Sequence, residues 1–136
     1  MLTVTSQIQE IFQERVAERQ IDAVGIVEQL LVLATHVGEI RCTLAGPDKL
    51  RFEIRGHVPL EVPLTPAKSR LRMMCARLGV LCRESGQDTN LYGDQGTINQ
   101  SVVPSPNGQP DGLRPATWHV RFKNTPGEQE FTITAT

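Results

Sequence analysis

Residues 39–55 read EIRCTLAGPDKLRFEIR, and this stretch decides the fold class. Ile40, Cys42 and Leu44 alternate with Glu39, Arg41 and Thr43. Beyond Gly46-Pro47-Asp48 the alternation resumes, with Leu50, Phe52 and Ile54 set against Lys49, Arg51, Glu53 and Arg55. Successive side chains of a strand point to opposite faces, so the pattern predicts a hairpin with one apolar and one wet face. A sheet wetted on one side is typically antiparallel, and its apolar side must be covered by something else.

The cover is found on either side of the hairpin. Upstream, Asp22 is a good N-cap and Gly38 a good stop for a helix carrying Val24, Ile26, Val27, Leu30, Leu31, Leu33, Ala34 and Val37. These residues take up well over half of its circumference, which predicts a buried helix. Before it, Ser6 and Gln9 fit a capping box, and Ile8, Ile11, Phe12 and Val16 recur at helical spacing. Glu10, Glu14 and Glu18 form a second stripe there, and it calls for solvent or a cationic neighbour. Downstream, His57 to Leu64 carries Pro59 and Pro63 and reads as an edge strand or connector.

Residues 65–84, TPAKSRLRMMCARLGVLCRE, predict a third helix with Pro66 at its first position and Ser85-Gly86 at its end. Leu71, Met74, Cys75, Leu78, Leu81 and Cys82 form its core-facing stripe. Its five cations, Lys68, Arg70, Arg72, Arg77 and Arg83, face the single acid Glu84. Further on, residues 89–96 read as turn-rich and Thr97 to Val103 as a strand. Pro104 to Pro115 reads as a mobile Pro/Gly-rich loop. Trp118, Val120 and Phe122 alternate, Asn124-Thr125-Pro126-Gly127 turns the chain, and Phe131 and Ile133 alternate back. The whole is an α+β expectation over residues 1–136 as one domain. It has two layers, with two N-terminal helices, antiparallel hairpins and a central basic helix packed on one face of the sheet.

Composition narrows the function classes. The chain has 136 residues, a net charge of −1 and only six aromatic residues among Phe, Trp and Tyr. Its core therefore rests on Leu, Ile and Val, and a platform for stacking bases is not expected. No apolar run reaches membrane-spanning length and no secretory pattern opens the sequence, so a cytoplasmic setting with reduced thiols is expected and a membrane partner is not. Cys75 and Cys82 lie seven residues apart, outside metal-ligand spacing, and with Cys42 they read as small core hydrophobes; neither metal nor cofactor is expected.

Within the basic helix, Met73 and Val80 fall on the polar side, seven residues apart and therefore on one ridge, among Arg72, Arg77 and Arg83. An apolar centre with an arginine rim has the composition of a protein interface. The leading expectation is a non-catalytic protein-interaction module using Arg72, Met73, Arg77 and Val80. It would act as a homo-oligomer or as a small subunit of a larger intracellular assembly. The alternative is a nucleic-acid-binding adaptor or regulator using Lys68, Arg70, Arg72, Arg77 and Arg83. An acidic whole-chain charge, arginines spread around the wheel and no Asn or Gln for adenine weigh against it. A small enzyme is the third reading; it needs Cys, His and Asp groups brought together from Cys42, Cys75, Cys82, His36, His57, His119, Asp88 and Asp94, with Tyr92 beside the last two.

Overall fold

The computed structural model describes residue 8 and residues 23–86, 93–102 and 114–136. Among these, helix α1 (Ala23–Val37) leads into strands β1 (Glu39–Gly46), β2 (Lys49–Ile54) and β3 (Leu60–Pro63). Helix α2 (Ala67–Glu84) and strands β4 (Gly93–Val102), β5 (Arg114–Thr125) and β6 (Glu128–Ala135) follow. The strands form one six-stranded sheet in the order β3-β2-β1-β6-β5-β4, with every neighbouring pair antiparallel. The two helices pack on one face of it, as the alternating hairpin requires.

The expected hairpin over residues 39–55 forms in the register the alternation implies, with Cys42 opposite Phe52 and Leu44 opposite Leu50. Cys42, Phe52, Leu50 and Ile40 are fully buried, while Arg41 points to the other face and is exposed. The pairing of β1 with β6 joins the two halves of the chain, setting Cys42 beside Phe131 and Ile40 beside Ile133. Trp118 is fully buried, and its indole N–H donates to the Leu31 carbonyl at 2.9 Å. That bond ties β5 to α1 and satisfies the one polar atom of the largest core side chain.

α1 is buried along most of its surface through Ile26, Val27, Leu30, Leu31, Leu33 and Ala34, but Val24 is exposed in its first turn, contrary to expectation. Of the expected first helix, Ile8 alone is described; it is helical and fully buried in the core. Ser6, Ile11, Phe12, Val16 and the Glu10, Glu14, Glu18 stripe lie outside the described residues, as does most of the expected loop over residues 104–115.

Three boundaries differ from the expectation. β4 begins at Gly93, inside the stretch read as turn-rich, because ladder pairing with β5 runs from Gly93↔Lys123 to Val102↔Arg114. Arg114 and Pro115 belong to β5, not to the loop. Asn124 and Thr125 are strand residues, and the β5–β6 turn is the pair Pro126-Gly127. In each case cross-strand hydrogen bonds extend a strand into residues whose local preference is for turns. The segment with Pro59 and Pro63 does form the edge strand β3, four residues long.

Both edges of the sheet are blunted. β3 is short and flanked by prolines, which cannot donate to an added strand. On β4, the Asn99 N–H donates to Ser85 Oγ at 2.9 Å, and the Gln95 N–H donates to Asp94 Oδ1 at 2.8 Å. Two backbone donors that could otherwise recruit a foreign strand are thus already occupied.

Candidate functional site on the basic helix

α2 is held at both ends by the sheet it covers. At its start the Ala67 N–H donates to the Pro47 carbonyl and the Leu64 N–H to the Asp48 carbonyl, while Thr65 Oγ1 donates to Asp48 Oδ1. The β1–β2 turn therefore serves as the helix's N-terminal support, meeting an amide that an isolated helix leaves unsatisfied. Pro66 was expected at the first helical position. It instead occupies the cap one residue earlier, in an extended conformation and following a cis peptide bond. Lys68 Nζ donates to the Pro126 carbonyl at 2.7 Å, joining the same end of the helix to the β5–β6 turn. At the far end, Gly86 takes φ +90, and Ser85 accepts from the β4 edge as described above.

The expected core stripe holds in full: Leu71, Met74, Cys75, Leu78, Leu81 and Cys82 are all buried. Burial of these side chains, at roughly 1.5–3 kcal/mol for each large aliphatic one, fixes which face of the helix is left outside. The face left outside carries Ser69, Met73, Ala76 and Val80, all exposed, with Met73 at 45% and Val80 at 42%. Spacings of four, three and four residues put them on one continuous ridge.

The cations divide between the two flanks of this ridge. Lys68 and Arg72 lie on the side of the β5–β6 hairpin, where Asn124 Nδ2 donates to the Arg72 carbonyl at 3.4 Å. Arg70 and Arg77 lie on the opposite side, above the buried Met74 and Leu81. Both are partly buried, and each has its Nε out of solvent with no acceptor. Their stems lie against the protein and hold the charged heads at the rim. Among the described residues, Arg70, Arg72 and Arg77 make no ion pair. The acidic stripe expected to face them lies outside the described residues.

The structure thus brings Arg72, Met73, Arg77 and Val80 together on the exposed side of one helix. It does not line up the five cations of the nucleic-acid reading. Lys68 is bonded to a backbone carbonyl, and the arginines stand on both sides of an apolar crest.

The groups of the enzyme reading stay apart as far as they are described. Cys42, Cys75 and Cys82 are buried thiols on the core side of the sheet. Desolvation pushes the Cys42 thiol well up, and it pushes Cys75 up to about 12. Cys82 rises to about 11, through burial first and then the nearby Asp94 carboxylate. A thiol held in its protonated form is a poor nucleophile at neutral pH. Cys75 Sγ also donates to the Glu130 carbonyl at 3.5 Å and to the Lys123 carbonyl at 3.7 Å. His119 alternates with the buried Trp118 and Val120 and so lies on the opposite, open face, separated from the thiols by the sheet. His36 and His57 are exposed, and Asp88 and Tyr92 lie outside the described residues. No cluster of His, Cys, Asp and Glu suited to a metal ion occurs among the described residues, and no described helix is long and apolar enough to cross a membrane.

Two buried amides escape a reading of the sequence. Asn124 and Gln129 face each other across the β5–β6 hairpin on the core side, at 9% and 3% exposure. Gln129 Nε2 donates to the Thr125 carbonyl, while Asn124 Oδ1 and Gln129 Oε1 have no donor. A turn-forming Asn beside Pro-Gly gives no sign of burial in advance; the extra ladder pairs of β5 put it there.

No protein-family model matches the chain, and no curated protein does.

Proposed function

We propose that this chain is a non-catalytic protein-interaction module that docks through the outward ridge of α2, at Arg72, Met73, Arg77 and Val80. It works as a homo-oligomer or as a small subunit of a larger assembly. One observation carries the reading: two large apolar side chains stay exposed on a single ridge, and Arg72 and Arg77 beside them have no carboxylate partner among the described residues. A lone exposed apolar residue needs no explanation, as with Val58 at 82% in the turn after β2. A paired apolar ridge with a charged rim is the anatomy of a contact surface.

The test is size-exclusion chromatography with light scattering on the wild type and on Met73→Glu/Val80→Glu, beside affinity capture from a native lysate. The reading predicts an assembly or a captured partner that the double variant loses while keeping its circular dichroism spectrum. A monomeric wild type that captures nothing would overturn it.

A further inference from the structure

We propose that the occupant of this ridge is an acidic amphipathic helix of a different protein; this rests on the interaction reading above and names its partner class. The crest Met73–Ala76–Val80 spans about 10 Å, two helical turns at 1.5 Å per residue. It offers apolar contact at positions i, i+3 and i+7, the spacing at which a second helix presents its own apolar stripe. Cations stand on both sides of this crest, Arg72 on one and Arg70 and Arg77 on the other, with no carboxylate from the described residues to neutralise them. The complementary surface is an apolar stripe bordered on both sides by Asp or Glu.

The other occupants fit this surface less well. A second copy meeting α2 against α2 about a two-fold axis would set Arg70, Arg72 and Arg77 against their own equivalents, and like charges across an interface oppose association. A nucleic acid would lay its phosphates along one cationic stripe, whereas here the apolar crest runs down the middle and Lys68 is already bonded to the Pro126 carbonyl. Partly buried stems also hold Arg70 and Arg77 in place, so less side-chain freedom is lost when carboxylates arrive.

The probes are two synthetic helical peptides sharing one leucine stripe, the first flanked by Glu and the second by Lys, read by fluorescence anisotropy. The Glu peptide is expected to bind at least about tenfold more tightly than the Lys peptide, and to weaken by about tenfold or more between about 0.05 M and 0.5 M salt. Arg72→Glu/Arg77→Glu is expected to reverse the preference, and Met73→Ser/Val80→Ser to weaken both peptides together. Because the wild-type comparison of the two peptides decides by itself, a variant that fails to fold does not rescue the idea. Equal binding of the two peptides, or none, overturns the acidic partner. If Met73→Glu/Val80→Glu then still dissolves a wild-type oligomer, the ridge is an interface whose occupant is a second copy, and the reading of the previous subsection stands. Binding of a duplex of about 20 base pairs in place of either peptide makes the occupant nucleic acid and overturns both proposals.

Discussion

The two outer surfaces of this fold, the open face of the sheet and the ridge of α2, are both rich in arginine but treat it in opposite ways. On the sheet face most cations are matched from within, although Lys49 and Arg121 make no ion pair among the described residues. Arg41 bridges Glu130 at 3.0 Å and Glu53 at 3.6 Å, Arg51 meets Glu53 at 3.5 Å, Arg55 meets Glu39 at 3.7 Å, and Lys123 meets Glu128 at 2.9 Å. Thr134 Oγ1 donates to Glu39 Oε1 at 3.0 Å, and among the described side chains no large apolar one interrupts the pattern. On the helix, Arg70, Arg72 and Arg77 have no such partners among the described residues and surround exposed Met73 and Val80. A surface whose charges are mostly matched and whose centre is polar has little to gain from a partner. One that combines unmatched charge with apolar area gains by meeting something else.

The comparison breaks first at its apolar centre. Met73→Glu/Val80→Glu should cost partner binding at least about 2 kcal/mol, the scale of an interface hot spot, while moving the thermal midpoint little. Isothermal titration beside a melting curve separates the two quantities. The same pair of charges placed on the sheet face, as Thr43→Glu/Thr132→Glu, should leave binding untouched.

A smaller effect is expected from the rim. Arg72→Ala/Arg77→Ala should weaken binding about tenfold at low salt and much less at high salt, since rim charges act through screened, long-range attraction. A loss that does not depend on salt would mean that packing of the stems is the cause. Across the molecule, Arg41→Ala should reverse this signature, with a stability loss below about 1 kcal/mol by denaturant titration and unchanged binding. Its guanidinium is held charged by the Glu130 hydrogen bond against a modest desolvation penalty, but half-exposed pairs contribute little.

The buried side of the helix gives the smallest effect at neutral pH. Cys75 and Cys82 titrate well above the ordinary thiol value of 9.0 in the folded protein. In the unfolded chain they lose protons first, so their contribution to stability is whole below about pH 9 and falls as pH rises toward 11 and 12. Urea titrations at stepped alkaline pH should show that decline, and Cys75→Ala should flatten it. Iodoacetamide should modify the native protein slowly at pH 8 and the unfolded protein fast.

Much of this architecture is legible in periodicity. The alternation of Ile40 to Ile54 yields the hairpin, its wet face and the need for covering helices. The stripe from Leu71 to Cys82 separates the core side of the basic helix from Met73 and Val80 before any coordinates are considered. What periodicity omits is non-local. No local signal pairs β1 with β6, yet that pairing brings Glu130 to Arg41 across 89 residues and matches charge across the sheet face. The same limit applies to Asn124, a turn-former that ladder bonds bury, and to Pro66, which caps the helix while its neighbours Leu64 and Ala67 donate to the Asp48 and Pro47 carbonyls. Val24 shows that an apolar residue in the first turn of a mostly buried helix can still be exposed.

The clamping of α2 links its outward ridge to events inside the sheet. Pro47 and Asp48 form the tip of the β1–β2 hairpin and Pro126 the tip of β5–β6, so the helix start rests on two hairpin tips. A one-residue slip of either hairpin would reverse its faces and withdraw a support from under the helix. The bearing of Met73 and Val80 toward a partner is therefore a readout of strand alignment in the sheet beneath them. Mutations deep in β1 or β5 that loosen alignment should blur recognition at a surface they never touch.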